Sequence, residues 1–263
     1  MRYAAGTLFA LCTWLSTFQY VDAQGVMDHV DLQSPEMTEA EMTREEVIAL
    51  LSRASGQPAD LSSRRLSRLD LREVDFKGAN LRWARLNGAD LRGANLSAAI
   101  LDSAWLLNAN LENADLTGAS LFSTQMQGAN LKNAILKGAR IVANMERADL
   151  TGAMLQEADM AADMKNQSMG LMRAILRLAT LDDADFSGVK AARVDAEFAS
   201  FRGAILDGAD FSGAELAGAD LTDASVAGCN FSGADLASAR LVSLKGDAVG
   251  LDDAKNLDEA ILE

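Results

Sequence analysis

The side chains of this chain that could do acid–base chemistry are mostly aspartates, and they recur in a fixed relation to large apolar residues. Eight of them lie directly before such a residue: Asp70, Asp75, Asp90, Asp115, Asp149, Asp210, Asp220 and Asp235. Paired carboxylates can act as general acid and base in catalysis. Such regular recurrence, however, is typical of a solvent-exposed position in a structural repeat, so we expect no catalytic pair among them.

Other reactive groups are scarce. The sole histidine, His29, lies outside the periodic part of the chain, so a Ser–His–Asp or Cys–His arrangement cannot be built within the repeats. No group of residues has the spacing of zinc ligands. The glycines follow a turn pattern, as in Asn87-Gly88, rather than that of a phosphate-binding loop. The sequence therefore predicts a protein that is not an enzyme and has no metal or cofactor.

The elements that carry these side chains follow a period of five. From Leu66 to Leu241 we count 35 apolar residues that are spaced by five except at two steps within residues 141–171, and we call each of them a centre. The residue two before the centre is Ala in 27 of these repeats. A fixed period of this kind takes precedence over local secondary-structure propensities.

The spacing excludes a simple helix or strand. At about 100° per residue, a step of five advances about 140°, which scatters the centres around a helix. In a plain strand an odd period sends alternate centres to opposite faces. The two residues from Ala to the centre suit an extended step, whereas the three residues to the next Ala require a bend. A chain that extends and bends in this way winds into a coil with Ala and the centre inside.

The motif A-D/N-L-x-x resembles that of the pentapeptide-repeat family, as in Ala79-Asn80-Leu81, Ala89-Asp90-Leu91 and Ala219-Asp220-Leu221. The resemblance covers Leu61 to Leu241. It implies an all-β solenoid, a right-handed quadrilateral β-helix in which four repeats make one turn. On that basis we expect about nine coils over residues 59–245.

The N-terminal residues predict export. Residues 1–23 combine a basic start at Arg2, an apolar stretch and the sequence Val21-Asp22-Ala23 before a cleavage point, as in a bacterial signal peptide. After cleavage no segment is apolar for the length needed to span a membrane. We therefore expect a periplasmic or secreted protein. A leader that is not a signal would leave it cytoplasmic.

The segments that flank the repeats should close the ends of the solenoid. Residues 24–42 are acidic and are predicted to be loose. Residues 43–58 contain a capping-box pattern at Thr43-Arg44-Glu45-Glu46 and predict a short amphipathic capping helix with a linker. The cap would cover the exposed edges of the first coil. Residues 246–263 should form a loose last turn and a C-terminal cap.

The period is interrupted near residues 141–171. Ile141 and Met145 are four residues apart, and Met160 and Leu171 are eleven apart, which we interpret as two repeats plus one residue. Met is common here and suits an irregular coil. The stretch Lys165-Asn166-Gln167 is expected to bulge outwards, either as a surface loop or as a contact for a partner.

One group of outward positions breaks the polar rule. Periodicity places five apolar side chains outside the solenoid: Trp83, Ile100, Trp105, Leu107 and Phe122. Exposed aromatic patches often mark interfaces. Three interpretations remain open: the cluster binds a partner, the N-terminal segment folds back over it, or the side chains are tolerated singly on the surface.

The net charge of −14 disfavours nucleic-acid binding, which needs a basic surface. We expect a non-enzymatic exported scaffold that binds a protein, of unknown identity, through a flat face. The alternative is a cytoplasmic, DNA-mimicking relative that binds DNA gyrase, a role that the resemblance implies for some acidic members of the family. The sequence does not determine the oligomeric state.

Overall fold

The chain returns to the same side of the molecule every twenty residues. This is seen in the computed structural model, which describes residues 30–54, 57–162 and 172–263. Parallel β-bridges join residues one coil apart, as from Asp60 to Asn80 and from Asn80 to Ile100. The β-structure of the described residues consists of such single-residue bridges and not of long strands. Residues from Asp31 onward form one compact unit.

Four columns of bridges run along this unit, and we name the corresponding faces A, B, C and D in chain order. In the first coil the bridged residues are Asp60 on face A, Arg65 on face B, Asp70 on face C and Asp75 on face D. Among the described residues, faces A, B and C each contain ten bridged residues and face D contains nine. These residues therefore belong to nine coils and part of a tenth, numbered here from the N-terminus. At about 4.8 Å per coil, the nine coils extend about 40 Å.

Each repeat forms its hydrogen bonds in the same way. The amide of Leu81 donates to the carbonyl of Ile100 in the next coil at 2.8 Å, and the amide of Ala84 donates back to the Leu81 carbonyl at 3.1 Å. Trp83 is the residue of this turn that takes the left-handed conformation, with a φ of 56°. The extended step supplies the bridge and the tight turn supplies the corner, which is why the unit is five residues long.

The position directly before each centre is often Asp or Asn, and its side chain has a structural role that the sequence analysis missed. Asp115 Oδ1 accepts a hydrogen bond from the Thr117 amide at 2.9 Å. Asn130 Oδ1 accepts one from the Lys132 amide at 3.1 Å. This side-chain turn pairs an amide that the bridges and the tight turn leave without an acceptor. The carboxylates recur because the backbone needs them.

In the regular repeats the second residue after the centre has a positive φ, and long side chains at this position lean onto the next coil. A Cβ on Gly218, whose φ is +68°, would lie 2.5 Å from Cδ1 of Phe198 one coil earlier. A Cβ on Gly128 would lie 2.5 Å from Oδ1 of Asn108. Glycine therefore suits these two positions for two reasons. It adopts the left-handed conformation readily, and it has no Cβ to collide with the side chain of the preceding coil.

The core consists of the centres and the residues two before them. Almost all are fully buried, including the four positions where large and small exchange, namely Val189, Ala191, Val194 and Ala196. The exchange keeps the core volume nearly constant, as core packing requires. The rings of Phe211 and Phe231, one coil apart, stack with centroids 6.0 Å apart and an interplanar angle of 21°.

The N-terminal end of the solenoid is covered by helix α2, Arg44–Arg53, which packs Val47 into the core. Thr43 and Glu46 form a reciprocal capping box at its start. The Arg44 guanidinium donates to the carbonyl of Asp70 at 2.8 Å and to that of Arg72 at 2.7 Å. In later coils the equivalent carbonyls accept hydrogen bonds from amides of the preceding coil. Coil 1 has no preceding coil, so the Arg44 guanidinium supplies these hydrogen bonds instead.

The expectation of a loose segment over residues 24–42 is wrong for its described C-terminal part. Helix α1, Pro35–Thr38, forms there, and Met37 is buried. The Ser67 hydroxyl donates to the Met37 carbonyl at 2.9 Å. Burial of one apolar side chain and pairing of its carbonyl order a segment whose acidic composition alone suggested disorder.

The C-terminal residues 246–263 form a last turn of the solenoid. Val249, Lys255 and Ile261 bridge to coil 9 on faces A, B and C. Two 3₁₀ helices, Leu251–Asp253 and Leu257–Glu259, replace the tight turns between them. The segment is thus a tenth coil with looser corners.

Both interruptions of the period lie at the corner between faces A and B, in consecutive coils. In coil 5 the step from Arg140 to Asn144 lacks one residue, and in coil 6 the step from Asp159 to Ile175 contains eleven extra residues. The interpretation of Met160 to Leu171 as two repeats is therefore wrong, because only one face separates Asp159 from Ile175. Leu171 itself lies outside the described residues.

Replacing Arg44 with Ala should open the first coil. Loss of charge-assisted hydrogen bonds to two otherwise unpaired carbonyls should cost about 1–2 kcal/mol, since the side chain is partly exposed. We expect faster hydrogen exchange confined to coil 1 and a lower unfolding temperature. Lys137→Ala, at an exposed lysine without an ion pair among the described residues, is the control. Unchanged protection of coil 1 in Arg44→Ala would contradict this function of the cap.

Candidate protein-interaction surface

Four of the five predicted patch residues meet at the A–B corner. Trp83 lies on the corner in coil 2, Ile100 and Trp105 on faces A and B of coil 3, and Phe122 on the corner in coil 4. Trp83 is 57% exposed, whereas the other three are partly buried. We call these four residues the aromatic corner.

Cationic side chains border the aromatic corner. The Arg140 guanidinium lies over the Phe122 ring, 5.6 Å from its centroid, and 3.3 Å from an oxygen of Asp159. Arg85 is bridged to Trp105 from the coil below. A mixture of aromatic rings and arginine is typical of the residues that dominate binding energy at protein interfaces.

Leu107, the fifth predicted residue, lies at the next corner, between faces B and C. It lines a groove of about 320 Å³ together with Met37 and other residues of the N-terminal segment. The Asn87 amide donates to the Met37 carbonyl at 3.1 Å, and Asn87 Oδ1 accepts from the Leu107 amide at 3.0 Å. The described part of the N-terminal segment thus packs beside Leu107, while Trp83 remains exposed.

The predicted loop contacts, Lys165, Asn166 and Gln167, lie outside the described residues. The C-terminal end of the insertion is anchored by Arg173, which binds Glu215 through two hydrogen bonds of 2.7 Å and lies 3.4 Å from Asp195. Sequence reasoning missed this anchor because its members are far apart in the chain.

Asp195 is the most buried carboxylate in this anchor, with 4% of its surface exposed. Burial raises its pKa above the usual range, although Arg173 and Arg177 act in the opposite direction. The raised pKa means that desolvation outweighs the attraction of the two cations.

Outward positions near the insertion are unusually buried. Gln125, Ile175 and Asp195 on face B retain 8%, 7% and 4% exposure, and Val142 at the shortened corner retains 1%. Face B is therefore not an open surface over coils 4 to 7. The aromatic corner lies at the N-terminal edge of this region. The aromatic residues of coils 2 to 4 are therefore next to the irregular corner of coils 5 and 6.

The described residues offer little reactive chemistry. They include no group of three or more His, Cys, Asp or Glu arranged to hold a metal ion. The Cys229 thiol occupies a core position normally filled by Ala, and burial raises its pKa to about 12. Within the described part of the chain, we also find no helix with the length and apolar character to cross a membrane.

The comparisons with known proteins agree with this architecture. The family model for pentapeptide repeats matches in eight copies at residues 59–93, 75–106, 99–138, 179–216 and 214–244, more than half of the chain. The chain therefore belongs to the pentapeptide repeat family, whose members form right-handed quadrilateral β-helices. No functionally curated protein matches the sequence significantly.

The solved structures to which this chain is similar are pentapeptide repeat proteins. The trypsin-treated form of QnrB1, a plasmid-mediated fluoroquinolone resistance protein, is 17% identical, with 74% of this chain and 88% of that chain covered and a TM-score of 0.53. HetL, involved in heterocyst differentiation regulation in Nostoc sp. strain PCC 7120, is 27% identical over 84% and 97% of the chains, with a TM-score of 0.39. A pentapeptide repeat protein from Nostoc PCC 7120 is 36% identical over 43% and 79%, with a TM-score of 0.28.

The burial of Cys229 predicts that its thiol is inert in the folded protein. A thiol with a pKa of about 12 is almost fully protonated at pH 8, and only the thiolate is nucleophilic. Iodoacetamide at pH 8 should leave the Cys229 peptide unmodified, as read by mass spectrometry, until the protein is denatured. Rapid labelling of native protein would show that coil 8 or 9 opens or that the thiol is activated.

Proposed function

We propose that this chain is a non-enzymatic scaffold that binds a protein partner through the aromatic corner. The observation that carries the proposal is Trp83, a large aromatic side chain that is 57% exposed on the A–B corner. A tryptophan has only two side-chain dihedral angles, so it loses little conformational entropy on binding while it buries a large area, which suits it to be the anchor of an interface.

The surroundings of Trp83 support this function. Trp105 and Phe122 lie in the next two coils and are partly buried, so they can provide an apolar surface against which a partner packs. Arg85 has no ion pair among the described residues and lies one coil from Trp105, where it can pair with a carboxylate of the partner. Pentapeptide repeat proteins are generally structural or interaction proteins, which agrees with a binding role.

The partner is expected outside the cytoplasm, because residues 1–23 have the pattern of a signal peptide. The alternative is a cytoplasmic DNA mimic that binds DNA gyrase. The C-terminal half of the solenoid supports that alternative in charge only, since residues 148–263 contain twenty-one acidic and nine basic side chains. The N-terminal half has the opposite balance, so the solenoid is not uniformly acidic as a DNA mimic should be.

The binding proposal predicts that Trp83→Ala removes partner binding. Trp83 and Phe198 are both 57% exposed, but Phe198 lies at the B–C corner of coil 7, away from the aromatic corner, so Phe198→Ala is a matched control. In quantitative affinity enrichment from the native compartment, a partner should be depleted at least tenfold with Trp83→Ala and kept with Phe198→Ala. Equal recovery by both variants would refute the aromatic corner as the binding site.

The export proposal predicts that the protein isolated from its own cells begins at Gln24. Intact mass measurement after fractionation should find this mature form in the periplasm or the medium. Replacing Ala23 with a bulky residue such as Tyr should block cleavage, because the processing site requires a small side chain. Cytoplasmic protein with an intact N-terminus would instead favour the DNA-mimic alternative.

A further inference from the structure

The charges of the solenoid are divided between its two halves. Residues 57–147 contain twelve basic and nine acidic side chains, whereas residues 148–263 contain nine basic and twenty-one acidic side chains. Two copies that lie side by side in opposite directions would place the basic half of each against the acidic half of the other. Within residues 57–263 such lateral contact places opposite charges together, whereas parallel association would place like charges together, although each whole chain carries a net charge of −14.

Face D is the face best suited to such contact. It lies opposite face B, so it is remote from the insertion and from the aromatic corner. Three aliphatic side chains lie along its middle: Ile135 in coil 4, Met154 in coil 5 and Ile205 in coil 7. Met154 and Ile205 are 39% and 40% exposed. Met154 occupies the central coil of the nine on this face, where an antiparallel two-fold axis would pass.

We propose that face D is the interface of an antiparallel homodimer in which Met154 faces its own copy across the two-fold axis. In this arrangement coil 1 lies opposite coil 9, coil 2 opposite coil 8, and so on. Symmetry places each corner of face D against the same corner of the second copy. The proposal can therefore be checked position by position against the charges.

The ends of face D are complementary in this register. Asp75 on coil 1 lies opposite Lys245 on coil 9, and Lys77 at the neighbouring corner lies opposite Asp247. Lys77, Lys245 and Asp247 form no ion pair within the described part of the chain, and all three are exposed. These charges are available to a partner because nothing in the described residues neutralises them.

The corner between faces C and D shows the same complementarity. Arg92 of coil 2 lies opposite Asp223 of coil 8, and Glu112 of coil 3 opposite Arg202 of coil 7. Lys132 of coil 4 lies opposite the acidic turn of coil 6, which contains Asp182 and Asp183. The three cations already form ion pairs with carboxylates on face C. They would therefore favour the dimer through longer-range electrostatic attraction more than through new ion pairs.

A shift by one coil in either direction reduces this agreement, because the new opposite-charge pairs, such as Arg72 with Asp223 or Lys137 with Asp207, are accompanied by pairs of like charge. In one direction Arg92 meets Arg202 and Glu112 meets the acidic turn at Asp182. In the other direction Glu112 meets Asp223 and Lys132 meets Arg202. Like charges in direct opposition cost free energy at an interface and thereby reject wrong registers. The charge pattern selects one antiparallel register among its neighbours.

The size of the face sets the expected affinity. A strip about 40 Å long and roughly four residues wide, at about 3.3 Å per residue, covers about 500 Å² per copy. This is below the roughly 800 Å² per partner of a standard stable interface. We therefore expect a dimer with micromolar affinity that dissociates readily when salt screens its charges.

Sedimentation velocity of the full chain at protein concentrations of about 1–100 μM tests the dimer. At 50 mM NaCl we expect reversible dimers, and at 500 mM NaCl we expect the dissociation constant to rise at least tenfold. Met154→Arg, which places two cations against each other at the two-fold axis, should weaken the dimer at least tenfold. Leu178→Arg at the B–C corner is the matched control, since Leu178 is 44% exposed and should leave the dimer unchanged.

A charge exchange tests the register. Lys77→Glu and Asp247→Lys should each weaken association about three- to tenfold by opposing like charges, and the double variant should recover it. A monomer at all concentrations in 50 mM NaCl, or a dimer that tolerates Met154→Arg, would overturn the proposal. Failure of the double variant to recover would overturn the antiparallel register. None of these outcomes bears on partner binding at the aromatic corner, which face D does not include.

Discussion

The structure depends on pairing the backbone amides of a five-residue unit that turns a corner. An extended step lets each coil bond to the next, and a left-handed turn residue lets the chain change direction without losing its amide bond. The remaining amide is paired by the side chain before the centre, as Asp115 does for Thr117. Because buried or crowded backbone groups must find partners, these requirements leave little freedom at four of the five positions.

That constraint explains why the protein has so little chemistry in its repeats. The carboxylates that could act as acids or bases are used to hold turns, and the one cysteine among the described residues fills a core position as a small apolar residue. Function is therefore confined to outward positions and to places where the period fails. The shortened corner at Ile141 and the insertion that begins after Met160 occur at the same corner in consecutive coils, so the molecule concentrates its irregularities on one side.

The two sides of the solenoid can then serve different purposes. The A–B corner presents aromatic side chains next to the insertion, while face D on the opposite side keeps its regular bridges through coils 5 and 6. A dimer through face D would leave two copies of the aromatic corner accessible and pointing away from each other. Such a particle could bind two partner molecules, and its avidity would depend on the salt-sensitive contact between the copies.

The sequence alone determined the repeat, the Ala and Leu core, and the capping box of helix α2, because these depend on spacing and on contacts within a few residues. The exchange of large and small residues near Val189 could also be predicted from the period. Tertiary structure decided which face each residue occupies after the insertion, since the number of extra residues taken up in one corner cannot be read from a pattern of five. It also decided that Met37 is buried, that Arg173 anchors the insertion on Glu215, and that residues 246–263 continue the coil. Each of these depends on contacts between residues that are distant in the chain, and those contacts exist only once the coils are stacked.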